Sequence, residues 1–364
     1  MKKKTIDGKA LVYCQGAFNT PEGKTAHGLV RFTERYEVVG IIDNVHAGKD
    51  AGTVLDDRPA GIMIFPDFDT AIKMLEKENN LPANFVIGLA PDGGRLPKEA
   101  KSVIKKALKM GLHVASGLHD FLTNDQELVA LAKANHCTIK DVRKTPDRDQ
   151  LHFFTGDIEK VNCLKLAVLG TDSAVGKRTT AWMLVHAFSK GNLKAEMIGT
   201  GQTAWMQGAK YSMIMDSCIN DFVSGEIEHA VVSAWNKEHP DVIVIEGQGS
   251  LMNPAYPGGF EILAAGRPDY VILQHAPRRL EYDGFPGYKL HSLEEQIRAI
   301  KVISGKEVIA ITLNHELMNP DEIPNACKQI TQETGLPCFD VLAFGADDLV
   351  SILKTKIRGS VLVN

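Results

Sequence analysis

The stretch from Leu166 to Thr180 reads LAVLGTDSAVGKRTT, and it decides the fold of the second half of the chain. A short apolar run leads into a loop that contains Gly170 and Gly176, and the residues after Lys177 begin an apolar helix. Phosphate-binding loops occur in this order of strand, glycine-bounded loop and helix. Backbone N–H groups at the helix start, the helix dipole and the Lys177 ammonium together attract phosphate. The alternative is an ordinary strand-to-helix turn with glycines there by chance.

The loop departs from the standard phosphate-loop pattern G-x-x-x-x-G-K-[ST] at two positions. Thr171 stands where the pattern has its first glycine, and Arg178 follows Lys177 where a magnesium-binding hydroxyl is expected. Thr179 and Thr180 come next, so a hydroxyl remains close to that position. The predicted phosphate-binding residues are Gly170, Thr171, Asp172, Ser173, Ala174, Val175, Gly176, Lys177, Arg178, Thr179 and Thr180.

A second apolar run, from Asp241 to Ile245, ends in Glu246 and continues as GQGS. In phosphate-loop domains, an acid at the end of a buried strand beside the loop normally positions magnesium, directly or through water. Glu246 and Thr179 are therefore the candidate metal ligands, and Glu246 is also a candidate catalytic base. The alternative is that Glu246 is an exposed residue at the end of a strand.

Length and charge restrict the kind of protein and the kind of partner. The chain has 364 residues, of which 44% are hydrophobic and 24% charged, and its formal net charge is -4. This length predicts about two domains, each large enough to bury a core. Acidic and basic residues nearly balance without long blocks of one sign, so the electrostatic signature of nucleic-acid or anionic-membrane binding is missing. We therefore expect a small-molecule substrate, with no nucleic acid and no membrane as partner.

The cysteines and the apolar segments indicate where the protein works. Six cysteines lie far apart without a C-x-x-C pair, which favours free thiols in a reducing cytoplasm over a zinc site or a disulfide framework. The basic start Met1–Lys4 is followed by an apolar stretch too short for a signal peptide, and no apolar run approaches the length of a membrane span. We expect a cytoplasmic protein that forms a homo-oligomer.

Short apolar runs alternate with helical segments in both halves, as expected when helices connect parallel strands. We predict an α/β protein with a Rossmann-like N-terminal domain at 1–150 and a doubly wound, P-loop NTPase-like C-terminal domain at 151–364. Asp43 follows the second predicted strand, but the G-x-G-x-x-G turn is missing, so no NAD site is predicted. Strands are predicted at 10–14, 37–42, 85–89, 113–115, 163–169, 194–198, 242–245, 270–273 and 308–313. Helices are predicted at 69–78, 97–110, 177–189, 226–237, 293–303 and 323–334.

Polar residues follow two later predicted strands of the C-terminal domain. His275 is a candidate catalytic residue, because imidazole can act as a base near neutral pH. Arg278 and Arg279 come after it, and a guanidinium can bind a carboxylate through two hydrogen bonds. The alternative for all three is that they are ordinary surface residues without a role in binding or catalysis. Asn314 follows the last predicted strand, where related phosphate-loop enzymes use an asparagine to contact the nucleotide base; the alternative is an Asx turn.

Two further candidates lie between strands of the C-terminal domain. Gln202 belongs to a glycine-containing turn where it can offer polar contacts to a ligand, and plain turn chemistry explains the pattern equally well. Asp221 lies in the carboxylate-rich stretch 216–228 and is a candidate catalytic residue or helix cap. In the same interpretation, Glu226 or Glu228 is expected to face the nucleotide. The alternative is that these acids occupy a first helical turn, where the helix dipole favours them.

These residues resemble two known families. The loop Gly170–Lys177 is similar to that of dethiobiotin synthetase, G-T-D-T-x-V-G-K-T, and the segment that begins at Glu246 is similar to its E-G-A-G segment. The whole chain more closely resembles a bacterial and archaeal family long described as of unknown function and now associated with D-glutamate N-acetyltransferase. The similarity runs from the YCQG segment at Tyr13 through GTDSAVGKRTT to EGQGS, and Arg178 agrees with this second family.

The second resemblance implies transfer of an acetyl group from acetyl-CoA to the amino group of D-glutamate or a similar acidic amino acid. It implies that the loop binds the phosphates of coenzyme A and that Arg278 or Arg279 holds the carboxylates of the substrate. Glu246, His275 or Asp221 then removes the proton of the amine, which must be uncharged to attack a thioester.

Two other functions remain open from the sequence. The resemblance to dethiobiotin synthetase implies an ATP-dependent ligase or kinase, with Mg²⁺ held by Thr179 and Glu246. A nucleotide-binding module without catalytic activity is the third hypothesis. Because a phosphate loop holds ATP as readily as coenzyme A, phosphate binding alone does not decide among the three.

Overall fold

The computed structural model describes residues 5–360, and their contacts group them into two units. The first unit runs through Thr145 and also includes Gln202–Ala209. The second unit comprises Pro146–Gly201 and the chain from Lys210 onward. The domains predicted at 1–150 and 151–364 stay a prediction. The basic start Met1–Lys4 lies outside the described residues.

The first unit is built on a parallel sheet with the strand order β3-β2-β1-β4-β5-β6. This is the order of the Rossmann fold. The central strands are buried along most of their length, as parallel strands covered by helices on both faces must be. The strands are β1 Gly8–Tyr13, β2 Tyr36–Ile42, β3 Ile64–Phe65, β4 Asn84–Ile87, β5 His113–Ser116 and β6 Ile139–Asp141. The helices are α1 Lys24–Arg31, α2 Ala51–Asp56, α3 Phe68–Lys77, α4 Lys98–Lys109 and α5 Gln126–Ala134.

Asp43, the acid after β2, is used within the protein. Its carboxylate is fully buried and accepts hydrogen bonds from the Gly16 N–H at 2.7 Å and from the His46 N–H at 3.0 Å. The imidazole Nδ1 of His46 lies 2.8 Å from the same carboxylate. Asp43 therefore fixes the loop that follows β1.

The second unit is built on a seven-stranded parallel sheet with the order β13-β12-β11-β7-β10-β8-β9. The strands are β7 Leu164–Gly170, β8 Ala195–Gly199, β9 Tyr211–Ser212, β10 Val242–Glu246, β11 Tyr270–His275, β12 Glu307–Leu313 and β13 Cys338–Phe339. The helices of this half of the sequence are α6 Lys177–Lys190, α7 Gln202–Gln207, α8 Asn220–Glu238, α9 Phe260–Ala265, α10 Leu293–Ser304, α11 Ile323–Thr334, α12 Val341–Phe344 and α13 Asp347–Ser360. The predicted α/β class, with two parallel sheets, is confirmed.

The short helix α7 belongs to the first unit although it follows β8 in sequence. The Gln207 amide donates to the backbone oxygens of Gly28 at 2.8 Å and Phe32 at 2.9 Å. The Arg35 guanidinium lies 3.9 Å from the centre of the Trp205 ring and donates to the Trp205 carbonyl at 2.8 Å. The segment around Gln202, for which the sequence left a ligand contact and a plain turn open, is therefore a helix that packs against α1 and the residues that follow it.

Two acids in the first half of α8 accept hydrogen bonds from the backbone of residues 152–155, the segment that leads into the second sheet. Glu226 accepts hydrogen bonds from the backbone N–H of His152 at 2.8 Å, and Glu228 accepts from that of Thr155 at 2.6 Å. The chain passes so close to the helix that a Cβ on Gly225 would lie 1.9 Å from the His152 carbonyl oxygen. The expectation that Glu226 or Glu228 faces a nucleotide was wrong, because both carboxylates bind this segment.

No helix within residues 5–360 is long and apolar enough to cross a membrane.

Candidate functional site

Four neighbouring strands of the second sheet bring most of the predicted site residues to one edge. In the order β12-β11-β7-β10, all four strands run in the same direction, so their carboxyl ends meet. Gly170, Glu246 and His275 are the last residues of β7, β10 and β11, and Asn314 directly follows β12. Open α/β sheets bind ligands at this edge.

Lys177 is the first residue of α6, and its side chain is folded against the loop. Its ammonium donates to the backbone oxygens of Asp172 and Gly249, each at 2.7 Å. The preceding Gly176 has φ +103°, a conformation that side chains rarely adopt, and this lets the chain turn from the loop into the helix. The loop therefore directs a buried cation and the first N–H groups of α6 toward one place, as phosphate binding requires.

Because Gly247 has no side chain, the end of β10 can lie close to the side chain of Lys177. A Cβ on Gly247 would lie 2.3 Å from the Val168 carbonyl oxygen and 3.0 Å from Cδ of Lys177. A larger residue would therefore push the lysine stem away from the strand. The Glu-Gly sequence at the end of β10 thus places a carboxylate beside the phosphate loop.

Burial lowers the pKa of Lys177 to about 8, against the attraction of Asp172 and Glu246. The charge that binds phosphate is therefore present below pH 8 and is lost as the pH rises through 8. We expect the affinity for ADP to fall above that pH by up to about tenfold per pH unit. Lys177→Arg keeps its charge and should remove the decline. Titration calorimetry from pH 7 to pH 9.5 measures this, and a flat profile for the unsubstituted protein would contradict it.

Asp172 fixes the first part of the loop through four hydrogen bonds to a fully buried carboxylate. Oδ1 accepts from the Ser173 N–H at 2.7 Å and from the Asn253 amide at 2.9 Å. Oδ2 accepts from the Asp283 N–H at 2.8 Å and from the Arg279 guanidinium at 2.9 Å. Asp172 is therefore an anchor that joins the phosphate loop to two distant segments of the chain.

Arg279 completes this anchor. Its guanidinium forms two hydrogen bonds with the Glu316 carboxylate, at 2.8 and 2.7 Å, and also donates to the Ser173 carbonyl oxygen at 2.7 Å. Burial lowers the pKa of Arg279, but the ion pairs with Glu316 and Asp172 outweigh this effect and hold the pKa above its ordinary value. Arg279 is thus engaged within the protein, whereas Arg278 lies half exposed and pairs with Glu322. Binding of a substrate carboxylate by either arginine stays a prediction.

Replacing Asp172 with alanine should lower the free energy of unfolding by about 3 to 5 kcal/mol, because it removes one partner of a buried ion pair. Urea unfolding followed by circular dichroism measures the change. Asp157→Ala, which removes an exposed ion pair with Lys160, is the matched control and should leave stability unchanged. Equal stability of the two variants would contradict the anchoring role of Asp172.

Glu246 is buried rather than exposed at the end of its strand, with 3% of its surface accessible. Its Oε2 accepts a hydrogen bond from the Thr200 N–H at 2.8 Å, and its backbone oxygen accepts from the Thr200 hydroxyl at 2.9 Å. Burial raises the pKa of Glu246, while Arg178, Thr200 and Lys177 oppose the shift. A carboxyl group whose pKa is raised in this way can take up and release a proton closer to neutral pH.

His275 lies on the other side of the loop and contacts Thr171. Its Nδ1 is 3.0 Å from the Thr171 hydroxyl, and burial lowers the pKa of the imidazole to about 4. The ring is therefore neutral at pH 7, and its basicity is low. Glu246 is the stronger of the two candidate bases on these grounds.

Gln274 is a residue of this site that the sequence analysis did not select. Its buried Oε1 accepts hydrogen bonds from the Thr180 hydroxyl at 2.5 Å and from the Thr312 hydroxyl at 2.6 Å. The hydrogen bond thus ties the Thr180 hydroxyl of α6 to β11. The sequence signal that could have identified Gln274 is its position near the end of a predicted strand, one residue before His275.

The remaining predicted residues have varied surroundings. Asn314 donates to the Val175 carbonyl oxygen at 3.0 Å, and its Oδ1 accepts from the Glu316 N–H at 3.0 Å, which is an Asx turn. Asp221 is exposed in the first turn of α8. It does not cap that helix, because the N-cap residue is Ile219 and no side chain caps it. Gln202 lies in the first unit, at the start of α7.

Thr179, a candidate metal ligand with Glu246, lies half-buried in the first turn of α6. Among residues 5–360, no cluster of three or more histidine, cysteine, aspartate or glutamate side chains is arranged to hold a metal ion. A metal at Thr179 and Glu246 stays a prediction.

The comparisons with known proteins agree with this architecture. A family model described as a domain of unknown function, DUF1611_C P-loop domain, matches residues 152–350. Another, described as DUF1611_N Rossmann-like domain, matches residues 44–145. A crystal structure of a DUF1611 family protein from Anabaena variabilis has a TM-score of 0.86 and 29% sequence identity, covering 95% of this chain and 99% of that one.

Two curated relatives carry the same functional name. A D-glutamate N-acetyltransferase from Pseudoalteromonas sp is 33% identical over 74% of this chain and 80% of its own length. A D-glutamate N-acetyltransferase from Tritonibacter scottomollicae is 32% identical over the same shares of the two chains. The family resemblance predicted from the sequence is thus confirmed: this chain belongs to the DUF1611 family, which combines a Rossmann-like N-terminal domain with a P-loop C-terminal domain.

Proposed function

We propose that this protein is a transferase that moves the acetyl group of acetyl-CoA to the amino group of D-glutamate or a similar acidic amino acid. The names of the two curated relatives support the reaction and the substrate. The observation that carries the proposal in this chain is the buried carboxyl group of Glu246 beside a phosphate loop. The six cysteines, all free thiols, support a cytoplasmic location, and the homo-oligomeric state stays a prediction.

The phosphate loop fits a donor that carries phosphates. Lys177 donates to two backbone oxygens of its own loop region, and a phosphate group offers stronger acceptors for the same hydrogens. The positive φ of Gly176 lets the chain turn directly from the loop into α6. Lys177 and the N–H groups at the start of α6 would hold the diphosphate of coenzyme A.

Glu246 is proposed as the base that takes a proton from the substrate ammonium. Its burial favours the protonated form, so the carboxylate gains stability by accepting a proton. Arg178, the Thr200 N–H and Lys177 oppose this shift of the pKa and favour the ionised carboxylate. The thioester of the donor is already activated, so attack by the free amine forms the amide bond, breaks the C–S bond and releases coenzyme A as a thiol without ATP.

Recognition of the acidic substrate is assigned to Arg278, which follows β11 at the ligand-binding edge of the sheet. Its guanidinium is half exposed and pairs with the partly exposed carboxylate of Glu322, so a substrate carboxylate can compete for it. Arg279, by contrast, is fully engaged with Asp172 and Glu316. Of the two arginines, Arg278 therefore suits substrate binding better.

The test is an assay of the full chain with acetyl-CoA and D-glutamate, in which release of the coenzyme A thiol and formation of the acetylated amino acid are followed together. We expect equal amounts of both products, with less product from L-glutamate and none from ATP alone. ADP formation without thiol release would instead support the ligase or kinase. Tight binding of coenzyme A without any turnover would support the non-catalytic module.

A further inference from the structure

Arg178 occupies the position at which many phosphate loops supply a ligand for magnesium. It is the second residue of α6 and directly follows Lys177. In loops that end in G-K-[ST], the hydroxyl at this position binds Mg²⁺, and an acid at the end of a neighbouring strand helps to hold the ion. Here a guanidinium, which cannot ligate a metal, stands in that position.

The acid of such a site is present at the end of a neighbouring strand. Glu246 ends β10, which pairs with β7, and Gly247 brings that strand end against the stem of Lys177. The carboxylate of Glu246 is buried, and of the groups that favour its ionised form Arg178 has the largest effect.

The two hydroxyls after Arg178 are poorly placed to replace the missing one. The Thr180 hydroxyl is donated to Gln274 at 2.5 Å. Thr179 is one residue further along α6, and each residue of a helix is rotated by about 100° from the previous one. Neither therefore points where the residue after the lysine points.

We propose that Arg178 takes the place of the divalent cation, so that this loop binds the diphosphate of its ligand without a metal. This inference deepens the proposed function and rests on its donor-binding part. A guanidinium can donate two parallel hydrogen bonds to one phosphate. A positive charge fixed on the protein suits a ligand whose phosphates are bound but not transferred.

The inference is tested by titration calorimetry of the full chain with coenzyme A and with ADP, in excess EDTA and in excess Mg²⁺. We expect the Kd of each ligand to agree within about twofold between the two conditions. Arg178→Gln should raise both Kd values in EDTA by about tenfold or more, because charge-assisted hydrogen bonds to phosphate are lost. Arg298→Ala, which removes an exposed arginine from α10, is the matched control and should bind as the unsubstituted protein does.

Two results would overturn the inference. One is binding by the unsubstituted protein that requires Mg²⁺, and this arm stands even if Arg178→Gln fails to fold. The other is unchanged affinity of a folded Arg178→Gln variant in EDTA. If the protein binds both diphosphates without metal but transfers no acetyl group, the proposed function fails while this inference stands.

Discussion

Replacing Lys177 with alanine is expected to raise the Kd for coenzyme A about 30-fold, which corresponds to the loss of roughly 2 kcal/mol of charge-assisted hydrogen bonding. The effect is large because the ammonium is buried and therefore little screened by water. The loop N–H groups and Arg178 remain, so binding is weakened but not abolished. Titration calorimetry measures the change directly.

Lys190→Ala is the matched control for that variant. Lys190 lies in the last turn of the same helix, is exposed, and pairs with Asp347 on the surface. Its removal changes the net charge by the same amount but should leave the Kd unchanged. If Lys177→Ala folds and binds coenzyme A as tightly as the unsubstituted protein, the phosphates do not lie at this loop.

Replacing Glu246 with glutamine is expected to lower kcat for acetyl transfer by about 10²- to 10⁴-fold, the range typical of a lost general base. Glutamine keeps the shape of the side chain and an oxygen that can accept the Thr200 N–H, so the fold and the Kd for coenzyme A should change little. Steady-state kinetics at saturating substrate measure the effect.

A control for Glu246→Gln is Glu294→Gln, at an exposed position of α10, where kcat should be unchanged. A separate binding measurement distinguishes loss of the base from loss of donor binding. An unaltered kcat for Glu246→Gln would remove Glu246 from the reaction and leave another group to accept the proton.

The core of the fold could be predicted from the sequence because the central strands are buried on both faces. The prediction at 163–169 corresponds to β7, and that at 242–245 to β10, each within one residue at either end. The short edge strands β3, β9 and β13 have two residues each and were not predicted. Two residues are too few for any periodicity, and such strands form only because a neighbouring strand is already in place.

The placement of α7 could not be predicted for a different reason. A local pattern shows that Gln202 follows a strand and a glycine, but not that the segment packs against α1 of the first unit. The contacts that decide this join residues far apart in sequence, such as Gln207 to Gly28 and Trp205 to Arg35. No spacing within the segment encodes them.

The site residues at the ends of strands could be predicted from the sequence. The ion pairs between side chains of different loops could not. The loop and Glu246 could be selected because acids and glycines at the ends of parallel strands must meet. The ion pairs of Arg279 could not, because Glu316 and Asp172 come from other loops. The local sequence around an arginine that follows a strand is the same whether the side chain binds a ligand or a neighbouring carboxylate.

The central claim is that the loop Gly170–Lys177 binds the diphosphate of coenzyme A, and a crystal structure of the full chain with coenzyme A in EDTA tests it most directly. We predict that the diphosphate lies at the start of α6, within hydrogen-bonding distance of the Lys177 ammonium and the Arg178 guanidinium. Coenzyme A bound elsewhere on the chain, with its phosphates away from both side chains, would contradict the account.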